Sequence, residues 1–116
     1  MKKLKVAIML LLLALPMVAE KGIASFYHDK YHGRMAANGS IFNQNEMTCA
    51  HKTLPFGTVL KVTNLDNNKE VIVTVTDRGP FIEGRVIDLS RAAADSLGYI
   101  NKGLQLVEFI IVEKKG

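Results

Sequence analysis

The sequence predicts a mainly β protein, a small barrel with very little helix. Two stretches, residues 57–64 and 70–77, alternate apolar and polar side chains with the period of a strand. Glycine, proline and asparagine punctuate the chain at short intervals. Helix signals are confined to one short stretch, residues 90–97.

Residues 22–28 (GIASFYH) form a short apolar and aromatic run and read as the first strand. Residues 28–39 are polar and turn-rich, and Asn38-Gly39 marks a tight turn. Residues 42–46 read as irregular, and residues 47–51 as a short strand leading into a loop. In residues 57–64 (GTVLKVTN), Leu60 and Val62 share one face, Lys61 and Thr63 the other. Asp66-Asn67-Asn68 is the turn of a hairpin into residues 70–77 (EVIVTVTD), the clearest strand of the chain. Period-two alternation puts Val71, Val73, Val75 and Asp77 on one face. Gly79 and Pro80 then break the strand, because proline cannot donate to a ladder. Residues 86–89 read as a brief strand. Ser90 is a good N-cap for an alanine-rich helix ending at Leu97, with Gly98 as its terminating glycine. Residues 104–112 read as a last strand, apolar on both faces and therefore buried or closing a barrel.

The chain has 116 residues, enough for one domain. The expected division is an export signal over residues 1–19 and a single domain over 20–116. Lys2, Lys3 and Lys5 give a positive start, residues 6–15 an unbroken apolar run of ten, and Pro16 and Ala19 a break and a small cleavage residue. The run is short for a membrane span. Without the signal, 12 basic residues face 11 acidic ones, and no basic block points to nucleic acid. No cysteine stands at the end of the apolar run, so the expectation is export to the periplasm or cell envelope without a lipid anchor. The lone Cys49 cannot form an internal disulfide and reads as a buried small residue.

Asp77 is the first candidate for chemistry. A carboxyl ending an apolar strand face should be partly desolvated, which raises its pKa toward what a general acid needs. Asp also caps turns such as Arg78-Gly79, and both readings stand at this point. Asp88, just before the helix, reads as structural, satisfying backbone donors or pairing with Arg78, Arg85 or Arg91. His51 could orient a carboxylate or bind a sugar hydroxyl, or serve the fold alone. His28 and His32 have metal-like spacing only on a helix, and Gly33 argues against one, so no metal or other cofactor is expected. Aromatic residues in or beside loops could stack on sugar rings; ordinary packing suits Phe42 and Phe56 better.

Seven segments in order resemble one family: residues 22–27 (GIASFY), 32–34 (HGR), 37–39 (ANG), 50–57 (AHKTLPFG), 62–65 (VTNL), 77–81 (DRGPF) and 87–94 (IDLSRAAA). They resemble the RlpA-like (rare lipoprotein A) lytic transglycosylases. The resemblance implies a six-stranded double-psi β-barrel with one or two short helices. It implies cleavage of peptidoglycan glycan strands stripped of stem peptides, between N-acetylmuramic acid and N-acetylglucosamine. There the muramic C6 hydroxyl attacks C1 and leaves a 1,6-anhydro end. It implies Asp77 as acid and then base, His51 in support, and Tyr27, Asn38, Ser40, Arg78 and Phe81 as substrate contacts, in a monomer.

The chain departs from the family at three points. Ser40 stands where many members carry a glutamate after the Asn-Gly turn, and serine cannot titrate. Cys49 stands where the family usually has alanine. The lipidation cysteine and the C-terminal peptidoglycan-binding repeat common in the family are absent, so a bare barrel domain is expected. Ser40 keeps open a non-catalytic, expansin-like glycan-binding module, and a hydrolytic glycosidase would need a second carboxyl across the cleft.

Overall fold

A computed structural model describes residues 18–114, so the expected export signal lies almost wholly outside the described residues. The strands are β1 (Glu20–Phe26), β2 (Thr48–Ala50), β3 (Val59–Asn64), β4 (Glu70–Asp77), β5 (Arg85–Leu89) and β6 (Gln105–Glu113). A 3-10 turn covers Asp29–Tyr31, and one helix, α1, covers Arg91–Leu97.

The strands close a barrel in the order β1-β5-β2-β4-β3-β6. β1 with β5 and β2 with β4 are parallel, and the remaining neighbours are antiparallel. Six mixed strands with crossovers of this kind make the double-psi β-barrel. Closure leaves no sheet edge unpaired, which suits a chain too short for a large core.

Local chemistry explains the elements. The β3–β4 hairpin turns at Asn68, which takes a left-handed φ of 62° that asparagine tolerates. Ser90 caps α1 by accepting from the Ala93 amide, and Gly98 ends it at φ 83°. Asn64 is buried, and its Nδ2 donates to the Leu97 carbonyl, fastening the helix end to the hairpin. Gly22 is required by close approach: a Cβ there would lie 2.5 Å from Val86 Cγ1.

Leu60, Val62, Val73, Val75, Ile87, Leu89, Leu97 and Tyr99 form the heart of the core, as β3 and β4 alternation predicts. A smaller cluster joins Tyr27, Phe42 and Ala50, so Phe42 packs in a core as expected. Of the two expectations for the last strand, burial holds for one face: Gln105, Val107 and Phe109 point inward, while Leu106 and Val112 remain exposed among the described residues. Its expected role in closing the barrel holds, since it pairs with both β1 and β3.

Leu60→Ala is expected to destabilise the protein by roughly 3 kcal/mol through lost burial and a residual cavity. Lys61→Ala, on the outer face of the same strand, should cost less than about 0.5 kcal/mol despite the exposed Lys61–Glu70 pair at 3.4 Å. Urea denaturation of both variants compares the two faces directly, and equal losses would refute the register.

Candidate active site

One cleft of about 650 Å³ opens where the end of β1, the 3-10 turn, the end of β4 and β5 meet. Its polar lining includes Ser25, Tyr27, Asp77 and Asp88 together with Lys30, Arg34, Arg78 and Arg85. Ala50 explains the convergence of the two carboxyls. It pairs with Asp77 of β4 on one side and with Asp88 of β5 on the other. The two aspartates therefore sit two strand spacings apart, roughly 10 Å between Cα atoms.

The expected common face of Val71, Val73, Val75 and Asp77 holds for the valines only. The β2–β4 register shifts between Cys49 and Ala50, and the Asp77 carboxylate meets Tyr27 of the second cluster. Its Oδ2 accepts from the Tyr27 hydroxyl at 2.5 Å. Its Oδ1 accepts from the Ala37 and Arg78 amides, each at 2.9 Å. Asp77 is thus a half-buried carboxyl surrounded by donors, and its bond from the Arg78 amide fits the turn-capping reading that stood beside desolvation. Burial, then the hydrogen bond to Asp77, pushes the Tyr27 phenol well above its ordinary range and keeps it a donor.

Desolvation acts on Asp88, which sequence reasoning set aside as structural. Burial is the largest cause, and it lifts the Asp88 carboxyl to about 6, with the charge of Asp77 adding to it. The Ser25 hydroxyl, donating to Oδ1 at 3.1 Å, and the charge of Arg85 pull the other way. None of the arginines expected to pair with Asp88 forms an ion pair with it among the described residues. The signal for Asp88 was present in the sequence. Ile87 and Leu89 point into the core, which sends Asp88 to the opposite face of β5.

His51 is not where a proton-transfer partner of Asp77 would be. Its backbone amide donates to the Asp77 carbonyl, but its ring lies edge-on to Phe109. Nδ1 accepts from the Thr53 and Leu54 amides, and Nε2 lies 3.1 Å from Glu20 Oε1. Those bonds shape the loop whose His51 and Leu54 carbonyls accept from Arg78 Nη1. The Arg78 guanidinium also stacks 4.1 Å above Phe56, so Phe56 contributes more than packing.

Among the expected substrate contacts, Tyr27, Arg78 and Phe81 line the cleft, and Phe81 is 80% exposed at its mouth. Asn38 and Ser40 do not. The Ser40 hydroxyl donates to Asn38 Oδ1 at 2.6 Å, and Ser40 lines a separate small depression with Glu46. His28 and His32 spend Nδ1 on the amides of Lys30 and Gln44. Gln44 is a further residue that the sequence did not reveal. It is buried, donates to the Tyr27 carbonyl at 2.7 Å, and accepts from the Arg91 amide. Cys49 is 1% exposed, and burial pushes its thiol well above the usual range, which removes it as a nucleophile.

Residues 19–109 match the profile of a family described as lytic transglycolase. The chain belongs to the lytic transglycolase family. Among its relatives, the endolytic peptidoglycan transglycosylase RlpA of Pasteurella multocida is 53% identical over 84% of this chain and 34% of the relative. The probable endolytic peptidoglycan transglycosylase RlpA of Synechocystis is 55% identical over 79% of this chain and 29% of the relative. The chain thus spans about a third of the length of the curated relatives it matches. Solved structures share the fold at lower identity. The Streptomyces papain inhibitor has a TM-score of 0.64 at 23% identity, over 83% of this chain and 98% of that one. An apo expansin from Clavibacter michiganensis has 0.64 at 24%, over 85% of this chain and 52% of that one. At such identities the likeness speaks for the barrel alone.

The raised Asp88 carboxyl has a stability consequence. Between the unfolded carboxyl value and about 6, the folded chain holds a proton that the unfolded chain has lost, so stability falls as pH rises through that window. Asp88→Asn removes this penalty. It is expected to be more stable than the parent by about 1–2 kcal/mol at pH 8, after discounting for partial solvent access, and to converge with it near pH 4. Thermal melts across pH measure this, and parallel curves for the two proteins would contradict it.

Proposed function

We propose that this chain is a lytic transglycosylase that cuts peptidoglycan glycan strands between N-acetylmuramic acid and N-acetylglucosamine, leaving 1,6-anhydro ends. The observation that carries the reading is a pair of differently held carboxyls in one cleft. Asp77 accepts three hydrogen bonds, and Asp88 is sunk beside Ser25 with its carboxyl lifted to about 6. Environments that treat two neighbouring carboxyls so differently suit one as proton donor and the other as base. The names of relatives about half identical to this chain support the same substrate.

The chemistry balances within the sugar and the two carboxyls. The C1–O4 bond breaks, and the leaving oxygen takes the proton of Asp88. The charge of Asp77 steadies the positive character that develops at C1. The muramic C6 oxygen then bonds to C1, and its proton passes to Asp77. Return of that proton to Asp88 through solvent resets the site, and no water is consumed. Tyr27 and the amides of Ala37 and Arg78 fix the Asp77 carboxylate in place. Phe81 offers an exposed ring at the mouth for stacking on a sugar face. His51 supports the site through the loop that holds Arg78, while Asn38 and Ser40 shape the turn that carries the Ala37 amide. The proposal includes export to the periplasm or cell envelope by residues 1–19 and action as a monomer.

Amidase-stripped glycan strands digested by the purified protein should yield anhydro-muramic products in mass spectrometry. The rate should decline as pH rises through about 6, where Asp88 gives up its proton. Asp77→Asn should lower the rate by at least about 100-fold. Hydrolysed reducing ends in place of anhydro sugar would instead assign a hydrolase, for which the second carboxyl at Asp88 is the supporting observation. Binding without any product would assign a glycan-binding module.

A further inference from the structure

The cleft gathers four cations around two carboxyls, in a chain whose remaining basic and acidic residues nearly balance. Outside the cleft, Lys61 pairs with Glu70, Arg91 with Asp29 and Lys102 with Asp66. The basic side chains that line the cleft form no ion pair among the described residues. Arg78 is committed to two carbonyls and to the Phe56 ring. Lys30 and Arg34 lie over the Tyr31 ring, at 5.2 and 5.7 Å, and neither contacts a carboxylate among the described residues. The Arg85 guanidinium has no hydrogen bond or ion pair among the described residues, although it acts on Asp88 through space. Asp77, the other acid of the cleft, is already occupied by three donors.

Unpaired guanidinium groups along a cleft wall attract an anion, and a guanidinium fork matches a carboxylate in particular. Neutral sugars offer no such group. Within the proposed substrate, muramic acid does: its lactyl ether ends in a carboxylate that is free wherever no peptide is attached. We propose that Arg34 and Arg85 form a subsite that binds the lactyl carboxylate of the glycan, with Lys30 adding to the field. This rests on the peptidoglycan reading above and deepens it, since it assigns the recognition of an anionic sugar to two residues outside the proton-transfer pair. Arg34 is held on the Tyr31 wall by ring contact, Arg85 stands at the start of β5, and both line the one cleft.

Binding, rather than cleavage, tests the subsite. Stripped glycan strands are compared with the same strands after carbodiimide coupling to methylamine, which turns each lactyl carboxylate into a neutral amide. Affinity is measured by calorimetry on Asp77→Asn protein, so that turnover does not consume the ligand. Carboxylate strands should bind about tenfold more tightly than amidated strands. Arg34→Gln and Arg85→Gln, each made in that background, should lose about tenfold on carboxylate strands and nothing on amidated ones. The ligand-side change leaves the protein untouched, so a folding defect in either variant cannot imitate this pattern. Equal affinity for the two strands, or equal losses on both in the variants, would overturn the subsite. Because the readout is affinity, the subsite can fail while cleavage stands, and cleavage can fail while the subsite stands.

Discussion

Closing this barrel requires β2, three residues long, to pair in parallel with β4 and antiparallel with β5. Everything at the cleft depends on that short strand. Ala50 faces Asp77 on one side and Asp88 on the other, and its small side chain leaves room for Tyr27 and Phe42 to pack beside it. Tyr27 and Phe42 stack with centroids 4.2 Å apart, so the ring that holds Asp77 is itself held by the 38–47 loop. Gln44 completes the fastening by tying that loop to the end of β1 and the start of α1.

The same geometry separates two chemically identical side chains. Asp77 stands at a strand end, where a turn amide, its neighbour's amide and a phenol can all reach it. Asp88 stands within a strand, between core residues, and among the described residues its one hydrogen-bond donor is the Ser25 hydroxyl. Strand position thus gives one carboxyl many donors and the other greater burial with few. The resemblance assigns proton transfer to Asp77; the structure adds a second, differently held carboxyl in the same cleft.

Much of this fold was legible in the sequence because its cues are local. β4 runs over residues 70–77 as alternation predicts, and Ser90 and Gly98 bound the helix as their cap chemistry predicts. What escaped depends on pairing between distant segments. Strand alternation puts Asp88 opposite Ile87 and Leu89, but the β2–β5 pairing is what brings that face into the cleft beside Asp77. The register shift at Cys49 and Ala50, which turns Asp77 away from the valine face, leaves no composition signal. The direction of the His51 ring follows from Glu20 and Phe109, which are far from it in sequence. The exposed side of β6 looked buried because its residues are apolar on both faces, and apolar residues outside a core are common on protein surfaces.

Cys49 sits at the middle of the strand on which the barrel closes, with its thiol enclosed by the core. While β2 is paired, no oxidant or electrophile reaches that sulfur, and two chains cannot join through it. Departure of β2 exposes the thiol and dismantles the cleft in the same motion. The rate at which a thiol reagent labels the native protein is therefore a clock for the breathing of the barrel at its active end, and oxidative cross-linking marks the chains that have lost it.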